Sequence, residues 1–442
     1  MKKLILLAAA LPSFAFAAPP SSVAYDIVEG LTTEVGQRLA GTEAEARARD
    51  WAVVKLKALG FVNVRIETYD MPVWERGVET AEVVSPFPQK LFLTALGNSG
   101  ATPETGLTGE VIGFPSLAAF VAAPDASVKG KIVYVSHQMR PSQDGSSYGA
   151  FGPVRFGGPN LAAKKGVALF LIRSVGTDGL RRPHTGVTTW EKGVAPIPTA
   201  ALAATDADNL ERMLARAKGP VTLHVTLTPK FTGTHQSGNV IAEVPGREPA
   251  AGMIIVGGHL DSWDLGTGAI DDAAGVAITT AAAKRILDGP KPRRPIRVVW
   301  WGSEEVGGFG SDAYFAAHKG EKHALAAESD FGADRIWRFN VKLPDAAKAL
   351  GTRLAAALSP LGITAGQQPA GGGADIEKLV ESGVSAVDLN QDGTRYFDLH
   401  HTPEDTLDKI DPAQLAQNVD AWTILLNLAA NAPENLMKSP VK

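Results

Sequence analysis

The residues best equipped for chemistry in this 442-residue chain lie in its second half. His259, Asp261, Asp271 and Asp272 fall within GGHLDSWDLGTGAIDDAAG, a glycine-loosened loop that follows the apolar run MIIV. Glu304 and Glu305 follow PIRVVWWGS, Asp330 stands in AAESDFG, and His400 and His401 stand in LHHTPEDT. A hydrolytic zinc pair wants such a set. Two cations roughly 3.5–4 Å apart need one carboxylate that bridges them and about two further imidazole or carboxylate ligands each. Asp271 suits the bridge, His259 and Asp330 one ion, and Glu305 and His401 the other. Glu304 is then left over, beside a ligand, to act as general base on water. Asp261, two residues past His259, would accept the second imidazole N–H and fix its tautomer. Each piece alone has a plainer explanation. Paired glutamates usually face solvent, Asp271 and Asp272 would serve to cap a helix, and two histidines fit a surface turn. Their order, always at the end of an apolar run, favours the metal site.

Strand ends must deliver these groups. From Asn239 onward NVIAEVPG, MIIVGG, PIRVVWWG and AVDLN read as strands, and DAAGVAITTAAAKRIL and SDAYFAAH as helices. That alternation predicts a mixed sheet with helices on both faces, where ligands gather outside the carboxyl ends of strands. Nearer the start, EAEARARDWAVVKLKALGF places Ala48, Ala52, Leu56 and Leu59 on one helical stripe, and VNVRIETYDMPVW alternates as a strand. Between these parts TGEVIGF, GKIVYVS, VALFLIRS and VTLHVTLTP form short β-rich runs, with NLAAKKG helical among them. We read a larger domain from residues 18–100 and 233–434, a β-rich insert at 101–232 and a tail at 435–442.

Composition limits the rest. The chain has no cysteine, so no disulfide holds it and any metal must be bound by His, Asp or Glu. With 45% apolar residues it can build a large core. The start, MKKLILLAAALPSFAFA, reads as a secretory signal cleaved after Ala17, so the protein is expected to be exported to a periplasm or the medium. The net charge of −4 becomes −6 once Lys2 and Lys3 are removed. There is no long basic tract, which argues against nucleic acid as a partner, and no later run suits a membrane span.

HLDS, IDDAAG with its first aspartate twelve residues after His259, then SEEVG, ESD and HTPEDT together resemble the co-catalytic zinc exopeptidases. That family includes secreted bacterial aminopeptidases and glutamate carboxypeptidases. LIRSVGTDGLRRPHTG, IPTA and the double histidine extend the likeness, which runs from about residue 25 to 430. The resemblance implies a mixed-sheet α/β/α zinc-exopeptidase domain with an inserted protease-associated domain. It implies two zinc ions on the ligands above, with Asp271 bridging and Glu304 as base, and a cis peptide after Asp271. By its spacing to the final DT it selects His401 as ligand and leaves His400 to support or to touch substrate. Asp375, in GGGADIEKL, matches an acidic position near the substrate. Tyr396 is a candidate to support the oxyanion, although Leu399 stands where some relatives place a tyrosine. The implied reaction removes a residue from an unblocked end of a dipeptide or short peptide, as a carboxypeptidase, dipeptidase or aminopeptidase. A receptor-like binding protein on the same scaffold is the non-catalytic alternative. Arg155, Arg173, Arg181 and Arg182 would bind a substrate carboxylate or remain surface charges, and His184 would lie near substrate, at an interface or in the structural frame. Relatives use the insert to cover the cleft and to dimerise, so a homodimer is expected.

Overall fold

The computed structural model describes residues 22–437; the signal segment at 1–17 and the end of the tail lie outside the described residues. Two eight-stranded sheets organise the chain. Across the first, the strands run in the order Val62–Glu75, Lys230–Val244, Ile296–Trp301, Met253–His259, His323–Glu328, Ser385–Gln391, Ile336–Lys342 and Thr364–Ala365. Four neighbours in the middle, from Ile296–Trp301 to Ser385–Gln391, are parallel. The first three of these are near-continuous apolar runs because helices cover both faces, so no solvated face calls for alternation. Met253–His259 comes first in the chain, and the next strands are laid down on opposite sides of it. That reversal opens a crevice at its carboxyl end.

Helix Ala274–Leu287 starts at this crevice and is buried along most of its length. Its alanines let it lie between the parallel strands and the helices Val23–Gly30 and Pro412–Asn431. Pro412–Asn431 carries clear start signals. Pro412 fills the first turn, and the Asp411 carboxylate accepts the N–H groups of Ala413 and Gln414 at 2.8 and 3.1 Å.

The second sheet runs from Glu79 to Leu227 and so takes in strands on the amino-terminal side of residue 100. Its two edges are Gln89–Leu91 and Leu93–Ala95, separated in the chain by Phe92 alone. The sheet therefore curls until its edges nearly meet, which leaves little open edge. Antiparallel strands Val62–Glu75 and Lys230–Val244 connect it to the first sheet: the chain departs at Glu75 and returns at Lys230, and those residues are partners. Among the described residues no helix is long and apolar enough to cross a membrane.

Candidate active site

His259 ends its strand, fully buried. Its Nδ1 lies 2.9 Å from the main-chain oxygen of Asp261. A carbonyl accepts only, so Nδ1 carries the proton and Nε2 presents its lone pair. That lone pair faces Asp271 Oδ1 at 3.1 Å and Asp330 Oδ1 at 3.3 Å. His401 repeats the arrangement. Its Nδ1 is 3.3 Å from the Thr185 carbonyl, and its Nε2 faces Glu305 Oε2 at 2.9 Å and Asp271 Oδ2 at 3.3 Å. Asp271 thus turns one oxygen to each group.

His400 stacks on His401, with ring centroids 3.4 Å apart, and its Nε2 is 3.6 Å from Asp271 Oδ2. Asp271, His400 and His401 form one cluster able to hold a cation, and His259, Asp271 and Asp330 form another. Sequence reasoning gave Asp271 and Asp272 two competing uses, and the structure divides them. Asp272 accepts the N–H groups of His259 and Gly275 at 3.0 and 2.9 Å and braces the start of the helix, while Asp271 faces the cluster. The peptide between them is cis.

Asp261 needs a correction. Its carboxylate stays 3.8 Å from His259 Nδ1, beyond hydrogen-bond reach. It accepts instead the main-chain N–H groups of Glu304 and Glu305, at 3.1 and 3.3 Å. The imidazole is oriented by the Asp261 backbone, and the side chain holds the loop that carries the two glutamates. Ser303, just before them, and His401 both adopt left-handed backbone, at φ 60 and 61. Positive φ is uncommon outside glycine, and both residues sit where the cluster constrains the chain.

The electrostatics are those of an acid-rich pocket short of positive charge. Burial pushes the Glu305 carboxyl up to about 6, with Asp271 adding to the effect and His401 opposing it. Glu304, half-buried, is pushed well above its ordinary value by burial; His259 opposes this, and Asp330 and Glu305 reinforce it. Burial alone would lower His259, but Asp330 and Asp271 outweigh it and hold the imidazole well above its usual value. Asp271 Oδ2 and Glu305 Oε1 are buried without a hydrogen-bond partner. Buried charges persist when paired or bound to metal, so these orphaned oxygens and the converging lone pairs fit cations.

A cavity of about 280 Å³ lies over the cluster, lined by Glu304, Asp330, His400 and Tyr396 from the first sheet and by Tyr148 and Arg155 from the second module. Tyr396 is buried, and its ring stacks on Phe331. Asp375 is buried beside Glu328, and its neighbour Ala374 lines the cavity.

Of the four arginines singled out, Arg155 alone lines this cavity. It is buried, its guanidinium lies 3.4 Å from both His401 Nδ1 and the Thr185 carbonyl, and its Nε has no partner. Arg173 pairs with Asp208 and Glu211, Arg181 with Asp206, and Arg182 with Asp178 and Glu404. His184 is structural: its ring nitrogens meet the His400 carbonyl at 2.8 Å and Asp178 at 2.9 Å.

Two supporting residues escaped the sequence reading. Arg38, fully buried, donates to the carbonyls of Thr267 and Gly268 at 2.6 and 2.8 Å and pins the loop between His259 and Asp271. Nothing in its own neighbourhood, GQRLAG, announces that role. Asp405 accepts the N–H groups of Ala269 and Ile270, each at 2.7 Å, and fixes the approach to Asp271. HTPEDT contained that signal.

Imidazoles and carboxylates converging at the strand ends of a mixed α/β sheet define a metal-dependent hydrolase. Comparison with known proteins narrows the class. Residues 239–425 match the model for peptidase family M28. Carboxypeptidase Q of Bos taurus is 34% identical over 419 residues, covering 94% of this chain and 87% of that protein. A solved peptidase M28 precursor from Shewanella amazonensis superposes with a TM-score of 0.92 at 46% identity, covering 96% of both chains. An aminopeptidase from Aneurinibacillus sp. strain AM-1 shares the fold, with a TM-score of 0.65 at 24% identity over 95% of this chain and 96% of its own. The chain belongs to peptidase family M28 and is a zinc-dependent exopeptidase.

Proposed function

We propose that this is an exported exopeptidase that works with two zinc ions and hydrolyses dipeptides or short peptides with an unblocked end. The observation that carries the proposal is Asp271, whose two oxygens face separate imidazole–carboxylate groups. His259 and Asp330 would hold one zinc, Glu305 and His401 the other, and Asp271 both. His401 is preferred to His400 because its Nδ1 faces the Thr185 carbonyl and its Nε2 lies 2.9 Å from Glu305, whereas His400 Nδ1 has no partner. Zinc in such a site polarises a carbonyl and lowers the pKa of water.

The chain's own groups account for the rest. Glu304 lines the cavity, and its carboxylate has no hydrogen-bond partner among the described residues. It is placed to take a proton from the attacking water and return it to the leaving amine. Asp261 keeps Glu304 and Glu305 in register through their backbone. Arg155 supplies a cation at the roof for the substrate's terminal carboxylate, and Tyr396 supplies a phenol on the cavity wall toward the oxyanion. Asp375 supports this wall through Glu328. In this proposal the second module is a protease-associated domain covering the cleft, and export rests on the amino-terminal segment.

The test is mass spectrometry of products from three peptides, one with both ends free, one N-acetylated and one C-amidated, with and without a chelator. We expect chelator-sensitive cleavage of the free peptide and weakened cleavage of the amidated one. Cleavage that persists after complete zinc removal would overturn the proposal.

A further inference from the structure

A second cavity, of about 240 Å³, opens beside Asp330 and Phe331, which also line the catalytic cavity. Asp144, Glu328, Asp330 and Asp388 line it, and no lysine, arginine or histidine does. Acids on a wall are common on solvated surfaces, so they decide nothing by themselves. Glu328 does more. It is 7% exposed, its Oε2 accepts the Asp375 N–H at 3.1 Å, and its Oε1 is buried without a partner. A buried carboxylate oxygen left without a partner on a cavity wall asks for a donor from a ligand.

The opposite wall comes from GGGAD, a stretch whose glycines the catalytic assignment leaves unused. Gly373 has φ 107, and a Cβ there would lie 2.3 Å from Glu328 Oε2, so only glycine lets this backbone close against the acid. Gly371 and Gly372 donate their N–H groups to the two oxygens of Asp388, at 2.8 and 3.0 Å. Asp388 is thereby held in place with both of its oxygens engaged. Among the described residues, neither Glu328 nor Asp388 belongs to a cluster able to hold a metal ion. The acceptor oxygens are spread along the pocket, which suits a long side chain ending in several N–H donors. The volume equals several waters, each of which occupies about 30 Å³ of liquid.

Arg155 lines the catalytic cavity but not this pocket, and Asp330 and Phe331 line both. A peptide whose carboxylate lies toward Arg155 therefore points its amino-terminal side toward Asp330. We propose that the pocket is a specificity subsite for a cationic side chain, lysine or arginine, on the residue that precedes the scissile bond. This rests on the exopeptidase assignment above and adds a substrate class to it.

The test compares kcat/KM of the zinc-loaded full chain on four dipeptides: Lys-Ala, norleucyl-Ala, Ala-Lys and Ala-norleucine. All carry the same free ends, so any contribution from the terminal amine cancels within each pair. We expect Lys-Ala to exceed norleucyl-Ala by about tenfold or more, as loss of a partner to a buried charge predicts, with the second pair nearly equal. Glu328→Gln and Asp388→Asn should bring the Lys/norleucine ratio toward one. That ratio is measured within each variant, so a general loss of activity drops out. Norleucyl-Ala cleaved as well as Lys-Ala, or a lysine preference confined to the second pair, overturns the subsite while leaving the exopeptidase assignment intact. Failure to cleave any of the four overturns both.

Discussion

Glu211 and Glu305 are both glutamates beside a sheet, and their surroundings differ sharply. Glu211, half-buried in the second module, accepts hydrogen bonds from Tyr134 at 2.7 Å, Ser136 at 2.6 Å and Arg173 at 3.2 Å. Burial raises its carboxyl, but these donors outweigh burial and hold it below its ordinary value. Glu305, at the first sheet's strand ends, has one oxygen on His401 and the other buried without a partner, and its carboxyl rises to about 6. Around Glu211 the fold neutralises its own charge. At the crevice of the first sheet it leaves charge for zinc and substrate to complete, and that surplus distinguishes a site from a scaffold.

The contrast should show first in turnover. Glu304→Gln should lower kcat by roughly 10²–10⁴-fold with zinc content unchanged, and Asp271→Ala should lose zinc along with activity. Full zinc occupancy in Asp271→Ala, read by elemental analysis, would remove the bridge. Chelation comes next. Because zinc binds the folded crevice and not the unfolded chain, removing it should lower the melting temperature, and readdition should restore it in proportion to ln(1 + [Zn]/Kd). A melting temperature indifferent to zinc would mean that the acids of the crevice are already satisfied. Glu211→Gln should have the opposite profile: about 1–2 kcal/mol lost in urea unfolding, with kcat/KM nearly unchanged. Activity lost in step with stability would erase the distinction between the two regions.

The smallest effect concerns His137, buried in the second module with Nε2 donating to the Arg173 carbonyl at 3.0 Å. Burial lowers it to about 4, against some opposition from that hydrogen bond. The unfolded chain takes up this proton near pH 6.5 and the folded chain only near 4, so stability is lost as pH falls between those values. At pH 5 the share of this group is at most about 2 kcal/mol. His137→Gln should flatten the fall in urea midpoint between pH 7 and 5 relative to the unsubstituted protein, and an unchanged slope would place the loss elsewhere. The zinc contribution cancels in that difference.

Much of the first sheet was legible before any coordinates. PIRVVWWG and MIIVGG read as buried strands because parallel strands covered on both faces must be apolar throughout. The helix Pro412–Asn431 went unread despite its Asp–Pro start, because it buries residues around much of its circumference and shows no single stripe. The strand Ile336–Lys342 went unread because its polar residues mask any alternation.

At the site, residue types and order were enough to nominate the histidines and acids, since a strand end carries its neighbours with it wherever the sheet goes. Which atoms they meet was settled only by the fold. His259 is oriented by a backbone carbonyl of Asp261, and His401 by that of Thr185, 216 residues earlier in the chain. Arg38 holds carbonyls some 230 positions further along, and Arg155 reaches His401 across 246. A backbone carbonyl is the same group on every residue, so a contact with one leaves no mark in the sequence. The chain alone determined which groups are available for zinc and where strands end; only tertiary packing decided which carbonyl fixes each imidazole and which arginine lines the cavity.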